Sequence, residues 1–447
     1  MFTNAHWMQR DLNVLWHPCT QMKDHETLPV IPISRGEGVW LYDFEGNRYL
    51  DAISSWWVNL FGHANPFINE RIKAQLDQLE HVILAGFSHQ PVIELSERLV
   101  NITPSGLSRV FYADNGSSGI EVALKMSFHY WLNCGRPEKT RFITLAHSYH
   151  GETLGALAVG DTGLYKDTYR PLLMEALIAP SPDCRQACEG EDCRAVTERA
   201  LAGMRALLEQ HAQESCAVIV EPLVQCASGM RMHEPAYLAG LRALCDEFEV
   251  HLIADEIAVG FGRTGSLFAC EQAGITPDFL CLSKGLTGGY LPLAAVLTHE
   301  TVFDAFYDDY QKLNAFLHSH SYTGNPLACT AALATLDLFE SEDVIQRNQQ
   351  TGEKMDTLLE PLKEHPHVRH VRRCGMIAAL DLVDERGQPF PWQQRRGLKA
   401  YQAAIERGVM LRPLGNTLYW MPPYVINDEE LVLLGRVTEA AITAACK

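Results

Sequence analysis

Residues 251–284 have the sequence HLIADEIAVGFGRTGSLFACEQAGITPDFLCLSK, which contains two short apolar runs, HLIADEI and DFLCLS. Each run has the length and continuous apolarity of a strand buried on both faces. Three earlier runs share this pattern: SRVFYAD (108–114), RFITLAH (141–147) and CAVIVEPL (216–223). Helical patterns alternate with these runs, and that alternation predicts an α/β fold with a largely parallel sheet.

A glycine–serine turn precedes the first helix of this predicted sheet. After DNGSSG, apolar and small residues recur at helical spacing: Ile120, Ala123, Leu124, Ser127, Phe128 and Trp131. Gly116, Ser117 and Ser118 therefore lie at a helix N-terminus, where free amides, hydroxyls and the helix dipole favour a phosphate. The alternative is an ordinary serine-rich helix cap.

Composition excludes several classes of protein. The 447 residues are 47% hydrophobic, enough for a substantial core in about two or three domains. The net charge of −18 is dispersed without a run of five like charges, which argues against a nucleic-acid partner. We expect a cytoplasmic protein without a membrane partner, because we find neither a signal peptide nor a convincing bilayer-spanning segment.

The two ends of the chain differ from its middle. Residues 1–60 mix short strands and turns, and residues 331–447 are mainly helical with another strand pair. We expect these ends to form a small domain together, and residues 61–330 to form the large domain.

Most of the 13 cysteines lie in apolar segments and are expected to be reduced core residues. The exceptions are Cys184, Cys188 and Cys193 in the polar stretch SPDCRQACEGEDC. Their spacing is not that of a zinc ribbon, and no fourth ligand is evident. A surface loop is therefore favoured over a metal site.

Lys284 is the only Lys, Arg, Asp or Glu between Asp278 and Glu300. It directly follows the strand DFLCLS, at the sheet edge where α/β proteins bind ligands. We expect apolar surroundings to favour its free amine, which attacks aldehydes. The alternative is a loop lysine whose ammonium reaches solvent.

Asp255 ends the apolar run HLIAD, and a buried carboxylate there needs a cationic or hydrogen-bonding partner. The protonated pyridine nitrogen of pyridoxal phosphate is one such partner, and an aspartate beside it helps the ring to accept electrons from a substrate. The alternative is an aspartate that caps the following turn.

Aromatic residues offer further candidates. Tyr149 in HSYHGET could stack on a cofactor ring, and Trp56 and Trp57 could wall a pocket; all three could equally fill a core. His147 and His150 flank the tyrosine, but without HExxH or a convergent carboxylate set a metal site is disfavoured. The absence of G-x-S-x-G disfavours a hydrolase.

The order of several motifs resembles class III, or omega, aminotransferases over nearly the whole chain: DNGSSGIE, SYHGET, VEPLVQ, ADEIAVGFGRTG, LSKG and SYTGNPLAC. The resemblance implies the aspartate-aminotransferase fold (fold type I), with a large domain containing a mostly parallel sheet and a smaller α+β domain. It also implies pyridoxal 5'-phosphate as cofactor and a homodimer with active sites at the subunit interface.

The resemblance assigns roles around the cofactor. Lys284 is expected to bind it as a Schiff base, Asp255 to hold the pyridinium, Gly116 and Ser117 to bind phosphate, and Tyr149 to stack on the ring. Glu221 and Gln225 in VEPLVQ are expected beside the ring oxygen.

The resemblance also implies roles for a second set of residues. The stretch His318, Ser319, His320 and Ser321 matches the one that completes the partner subunit's phosphate site, so His320 and Ser321 are expected to bind cofactor. The residues expected to bind substrate are Cys19, Trp56, Tyr149, Ser319 and Arg412, with Arg412 as the partner of an oxo-acid carboxylate.

Three stretches resemble one branch of the family more narrowly: WHPCTQMKDHE, DAISSWWVNLFGHANP and LRPLGNTLYWMPPYVI. That branch transfers an amino group from S-adenosylmethionine to 8-amino-7-oxononanoate, making 7,8-diaminononanoate for biotin synthesis. Cys19 replaces the branch's usual tyrosine, and Ser319 and His320 replace its glycine and proline. Lysine is therefore an alternative donor. Another omega-aminotransferase activity and a non-catalytic pyridoxal-phosphate-binding protein are further alternatives.

Overall fold

The computed structural model describes residues 3–447, which form two compact units. Unit 1 comprises the described residues up to Pro66 together with Glu353–Val371 and Ala378–Lys447. Unit 2 comprises Phe67–Gly352 and Arg372–Ile377.

The strands that the structure describes, numbered in chain order, are β1 Ile33–Glu37, β2 Trp40–Asp43, β3 Arg48–Asp51, β4 Leu107–Ala113, β5 Arg141–Leu145, β6 Leu177–Ala179, β7 Ser215–Val220, β8 Val224–Gln225, β9 Arg231–Met232, β10 His251–Asp255, β11 Phe279–Leu282, β12 Ala294–His299, β13 Val368–Cys374, β14 Ile377–Leu382, β15 Val409–Met410 and β16 Thr417–Trp420.

The described helices of eight residues or more are α1 Asn4–Val14, α2 Pro66–Leu76, α3 Gln90–Ile102, α4 Gly116–Asn133, α5 Cys193–His211, α6 Pro235–Glu247, α7 Pro326–Ser341, α8 Val344–Lys363, α9 Arg396–Ile405 and α10 Asp428–Cys446. Shorter α-helical turns lie at Leu154–Ala158, Gly163–Lys166 and Glu300–Asp304. Across the described residues, no helix combines the length and apolarity needed to cross a bilayer.

Unit 2 contains a seven-stranded sheet in the order β4-β12-β11-β10-β7-β5-β6. All five runs predicted as strands lie in it, and β10 pairs in parallel with both β7 and β11. Only β12 runs against its two neighbours, β4 and β11. The predicted α/β class and largely parallel sheet are confirmed.

Helix α4 packs one face on this sheet, because its small and apolar residues recur at helical spacing. Ile120, Ala123, Leu124 and Ser127 are all buried. Phe128, which also has helical spacing to these residues, is 39% exposed. Successive helical positions are rotated by about 100°, so the neighbour of a buried residue can lie outside the stripe.

Unit 1 draws strands from both ends of the chain. Strand β3 pairs in parallel with β15, with Leu50 opposite Val409 and Asp51 opposite Met410. Together with β1 and β2 they form a four-stranded sheet, while β13, β14 and β16 form a three-stranded one.

The boundary between the units differs from the expected one at residue 330, because unit 2 continues to Gly352. Helix α7 contacts α3 within unit 2. The Asp337 carboxylate of α7 forms ion pairs of 2.8 Å with Arg71 and 2.6 Å with Arg98. These contacts keep α7 with the large sheet, and the boundary falls inside α8 instead.

Candidate active site

Lys284 follows β11 at the C-terminal edge of the large sheet, two residues beyond Leu282. It has a left-handed backbone, with φ of 45°, and its side chain is partly exposed. Burial of its amino group lowers the pKa of Lys284, although Cys226, Asp255 and Glu221 act in the opposite direction. The site therefore favours the neutral amine more than water does.

Asp255 is the last residue of β10, the neighbour of β11, and lies opposite Cys281 in the parallel register. The side chain is buried, and its Oδ2 lies 2.7 Å from Nδ1 of buried His150. Its Oδ1 accepts a hydrogen bond of 3.1 Å from the amide of Ile257. Neighbouring strand ends thus bring the Asp255 carboxylate close to Lys284, as predicted for a ligand site at this edge.

Glu221 adds a second buried acid to this group. Its carboxylate accepts 3.0 Å hydrogen bonds from the amides of Tyr149 and Cys226. Burial, with Asp255 as a second cause, raises the pKa of Glu221 well above its usual range. Burial therefore disfavours the charged form of Glu221, whereas its two amide hydrogen bonds act in the opposite direction.

Gln225 is held by two hydrogen bonds at the start of a two-stranded hairpin. Its Oε1 accepts from the Ser181 hydroxyl at 2.7 Å, and its Nε2 donates to the Ala146 carbonyl at 3.0 Å. These bonds fix the side-chain amide beside the segment that leads to Tyr149.

Helix α4 begins at Gly116, so the glycine–serine turn lies at a helix N-terminus as predicted; the cap is Asn115, whose side chain accepts from the Ser118 amide at 3.1 Å. The backbone is tightly packed here: a Cβ on Gly116 would lie 3.0 Å from the Ile257 side chain. The Ser117 hydroxyl accepts from the Glu152 amide at 3.2 Å. The phosphate-binding candidates Gly116 and Ser117 therefore lie beside both the Asp255 strand end and the HSYHGET segment.

Tyr149 is partly buried within the same segment. Its hydroxyl donates to Oε1 of Glu152 at 2.9 Å, and its ring centroid lies 5.6 Å from that of Tyr165. These contacts orient the ring, which is the requirement for a residue expected to stack on a cofactor.

These residues fit pyridoxal phosphate. The group needs a lysine with an accessible neutral amine, an anionic partner for its ring nitrogen and a phosphate site. Lys284, Asp255 and the α4 N-terminus supply the three. Nε2 of His150 is buried without a hydrogen-bond partner among the described residues, which marks a polar site built for more than packing.

The stretch His318–Ser321 lies in unit 2, without regular structure before a turn. Nδ1 of His320 is 3.7 Å from Oδ2 of Asp114, and Lys125 Nζ is 2.8 Å from Nδ1 of His318. Ser319 and Ser321 are exposed. Their expected roles toward a partner subunit's cofactor stay predictions.

The substrate candidates Trp56 and Arg412 lie together in unit 1, where the Arg412 guanidinium is 4.3 Å from the centroid of the Trp56 ring. The chain reaches Trp56 through a left-handed turn: Ser54, Ser55, Trp56 and Trp57 have φ of 52°, 45°, 75° and 72°. Such a backbone costs about 1–2 kcal/mol for each residue other than glycine. A run of four is therefore strained, and strain of this kind concentrates at functional sites.

Cys19 also lies in unit 1, in the turn after α1. It is exposed and has φ of 49°. Trp57, in contrast, is buried and donates from its indole to the Tyr419 hydroxyl at 3.0 Å, so of the two tryptophans it is the one that fills a core.

Cys184 and Cys193, for which the sequence favoured a surface loop over a metal site, are joined in a disulfide with Cα atoms 4.8 Å apart. The loop between them brings the start of α5 back to Cys184, while Cys188 stays free and exposed. Among residues 3–447, no three His, Cys, Asp or Glu side chains are grouped to hold a metal ion.

Sequence reasoning considered His150 only as an improbable metal ligand, and it missed Glu152 and Cys226. The sequence does not show which distant residues are in contact: His150 and Asp255, which contact each other, are 105 positions apart. The position of His150 just after a strand, beside the candidate Tyr149, is the one hint that the sequence offered.

Comparisons with known proteins agree with this geometry. The family model for aminotransferase class-III matches residues 20–441. A Helicobacter pylori protein named adenosylmethionine-8-amino-7-oxononanoate aminotransferase is 50% identical over 426 residues, covering 94% of each chain. The crystal structure of a protein of the same name from Methanocaldococcus jannaschii is 39% identical, with a TM-score of 0.92 and 98% of each chain covered.

An amine transaminase structure from an uncultivated Pseudomonas species, solved in its PLP-bound form, is 34% identical with a TM-score of 0.92. The aligned parts cover 97% of this chain and 99% of that one. The fold, the strand-end lysine and aspartate, and the match over nearly the whole length lead to one conclusion: the chain belongs to the class III aminotransferases, enzymes that use pyridoxal phosphate.

Proposed function

We propose that this aminotransferase moves an amino group from S-adenosylmethionine to 8-amino-7-oxononanoate, giving 7,8-diaminononanoate in biotin biosynthesis. The observation that carries this proposal is the identity of 38–50% to eight relatives of that one name, each aligned over nearly the whole chain. The geometry supports the reaction type, and the relatives support the substrates.

The bound cofactor supplies an aldehyde that condenses with amines and a ring that accepts electrons from the substrate Cα. Lys284 Nζ, whose pKa burial lowers, would hold the cofactor through its carbonyl carbon and, once displaced by the donor amine, could take a proton from the substrate Cα and deliver it to that former carbonyl carbon. The Asp255 carboxylate, hydrogen-bonded to His150, can hold a protonated ring nitrogen.

Arg412 is proposed to bind the acceptor's carboxylate. A guanidinium stacked on an indole keeps its N–H edges available, and these edges match the two oxygens of a carboxylate. The donor and acceptor are proposed to react in turn, so the kinetics should be ping-pong.

Two further proposals follow from the resemblance. The enzyme is a homodimer in which His320 and Ser321 complete the partner subunit's phosphate site, and it works in the cytoplasm. Sedimentation velocity at the assay concentration tests the first point, and a monomer with full activity would contradict it.

The central experiment uses purified enzyme with bound cofactor. The donor half-reaction is followed by absorbance with S-adenosylmethionine and with lysine, and the acceptor half-reaction with 8-amino-7-oxononanoate by mass spectrometry of the product. We expect one molecule of 7,8-diaminononanoate to form for each molecule of donor consumed. Donor turnover without any use of that acceptor would overturn the proposal and indicate another omega-aminotransferase activity.

A further inference from the structure

The left-handed turn Ser54–Trp57 needs an external restraint. Residues other than glycine adopt this backbone singly, not in runs, so the surrounding structure must hold all four. Its second residue, Ser55, and the residue before the turn, Ile53, both bond to the same side chain.

That side chain is Asp51, the last residue of β3, which is fully buried. Its Oδ2 accepts from the Ser55 hydroxyl at 2.7 Å, and its Oδ1 accepts from the Ile53 amide at 3.2 Å. One carboxylate therefore fixes the entry to the turn and its interior at the same time.

His63 supports the same carboxylate from the far side of the loop. Its Nε2 lies 3.0 Å from Oδ2 of Asp51, and its Nδ1 lies 3.3 Å from Nδ2 of Asn59. Since Nδ2 of asparagine can only donate, Nδ1 of His63 accepts from it, and Nε2 carries the ring hydrogen and donates to Asp51. The buried carboxylate thus has no oxygen without a donor, as a buried charge requires.

The segment that follows Asp51 is also tied to the strand that leads to Arg412. Asp51 lies opposite Met410, and the Ala52 amide donates to the Met410 carbonyl at 3.3 Å. Arg412 follows two residues later and stacks on Trp56 at 4.3 Å. Asp51 therefore contacts both the turn that carries Trp56 and the strand that leads to Arg412.

We propose that Asp51, supported by His63, is a positioning residue for the acceptor: it holds the left-handed turn so that Trp56 keeps Arg412 aligned for the oxo-acid carboxylate. This inference rests on the proposed function, which places Trp56 and Arg412 in the acceptor site. It assigns a role in substrate selection to a buried carboxylate that touches no substrate.

The first test is Asp51→Asn. This variant keeps the size of the side chain but replaces the carboxylate that accepts from the His63 N–H with a neutral amide. We expect the KM for the acceptor to rise on the order of tenfold, the equivalent of one strained residue, with the donor half-reaction unchanged at saturating donor. Asp43→Asn is the matched control. Asp43 is a buried aspartate of the neighbouring strand β2 that bonds Asn47 and Tyr49 instead of the turn.

A pair of variants separates backbone restraint from general damage. Ser55→Ala and Ser55→Gly both remove the hydroxyl, but only glycine adopts the left-handed backbone freely. We expect the acceptor KM to rise more in Ser55→Ala than in Ser55→Gly, and the double variant Asp51→Asn with Ser55→Gly to recover part of the loss seen in Asp51→Asn.

Three outcomes overturn the inference: an acceptor KM unchanged in Asp51→Asn, equal effects of the two Ser55 variants, or a crystal structure of Asp51→Asn in which the turn and the Trp56–Arg412 stack are intact. A failure of the proposed function is distinguishable, because wild-type enzyme would then not use 8-amino-7-oxononanoate at all. The same variants are in that case compared with an oxo-acid that the wild type accepts, and the crystal structure decides independently of substrate.

Discussion

Nδ1 of His150 lies 2.7 Å from Oδ2 of Asp255, and both side chains are buried, Asp255 at the end of β10 and His150 in the segment that follows β5. The pair gives each buried polar side chain a hydrogen-bonding partner, without which its burial would be costly. It also fixes the direction in which the carboxylate faces.

Asp255→Asn removes the negative charge while keeping the shape of the side chain. We expect the variant to bind the cofactor but to slow removal of the donor's Cα proton by on the order of 10²- to 10³-fold, because the electrostatic support of the ring nitrogen is lost. Single-turnover absorbance measures this half-reaction directly. An unchanged rate would remove Asp255 from the proposed role.

Lys284→Ala should abolish the visible absorbance of the bound cofactor and lower transamination by roughly 10³-fold or more. Lys139→Ala is a matched control, because burial lowers the pKa of Lys139 to about 8. Lys139 Nζ donates to the carbonyls of Ala212, Ser215 and Glu249, so it serves the structure. The control should lose stability and keep its absorbance; equal absorbance in both variants would contradict the assignment.

The sequence predicted the sheet well because buried parallel strands are continuous apolar runs, which need no long-range information. It also directed attention to Lys284 and Asp255, since Lys284 is an isolated charge after a strand and Asp255 ends an apolar run; their roles toward a cofactor stay predictions. It predicted neither β12 nor the extension of unit 2 to Gly352. Those features depend on contacts between distant segments, such as the ion pairs of Asp337.

The same limit applies to the site. The left-handed turn at Ser54–Trp57 contains no glycine, the residue that usually indicates such a backbone in a sequence. The contact of His150 with Asp255 joins segments far apart in sequence. The Cys184–Cys193 disulfide was not predicted, because the spacing of these cysteines was compared only with that of zinc sites, and spacing alone does not give a pairing.

The disulfide should contribute to stability. Closing a loop of this length is expected to stabilise the fold by about 2–3 kcal/mol, chiefly by restricting the unfolded chain. Cys184→Ser should therefore lower the Tm of oxidised enzyme, while a reductant should remove the difference between variant and wild type. Cys188→Ser is the control, because that thiol is free; a Tm of Cys184→Ser equal to wild type without reductant would contradict the pairing.

Arg412→Ala should raise the KM for the oxo-acid acceptor on the order of 10- to 100-fold, because a charge-assisted pair with the carboxylate is lost. The donor half-reaction should change little if the donor does not use this residue. Arg412→Lys should restore only part of the affinity, since an ammonium cannot bind both oxygens in the same plane. Equal damage to both half-reactions would indicate a structural role.

Cys19 bears on which amino donor the enzyme uses. It is exposed after α1, at the position where the S-adenosylmethionine-using branch is expected to place a tyrosine. An aromatic ring can stack on adenine and its hydroxyl can donate a hydrogen bond, whereas a thiol offers little of either. Cys19→Tyr should therefore improve the donor half-reaction with S-adenosylmethionine by about 3- to 10-fold and leave lysine nearly unaffected.

Both donors are to be measured in both enzymes under the same conditions, so that the ratio of the two rates in each enzyme is the quantity compared. Cys19→Ser is the control, because it changes the thiol without adding a ring. A uniform change with both donors would mean that residue 19 only packs. If the wild type reacts with lysine and ignores S-adenosylmethionine, the proposed donor is wrong, and the cysteine marks a site that has no need to hold an adenine ring.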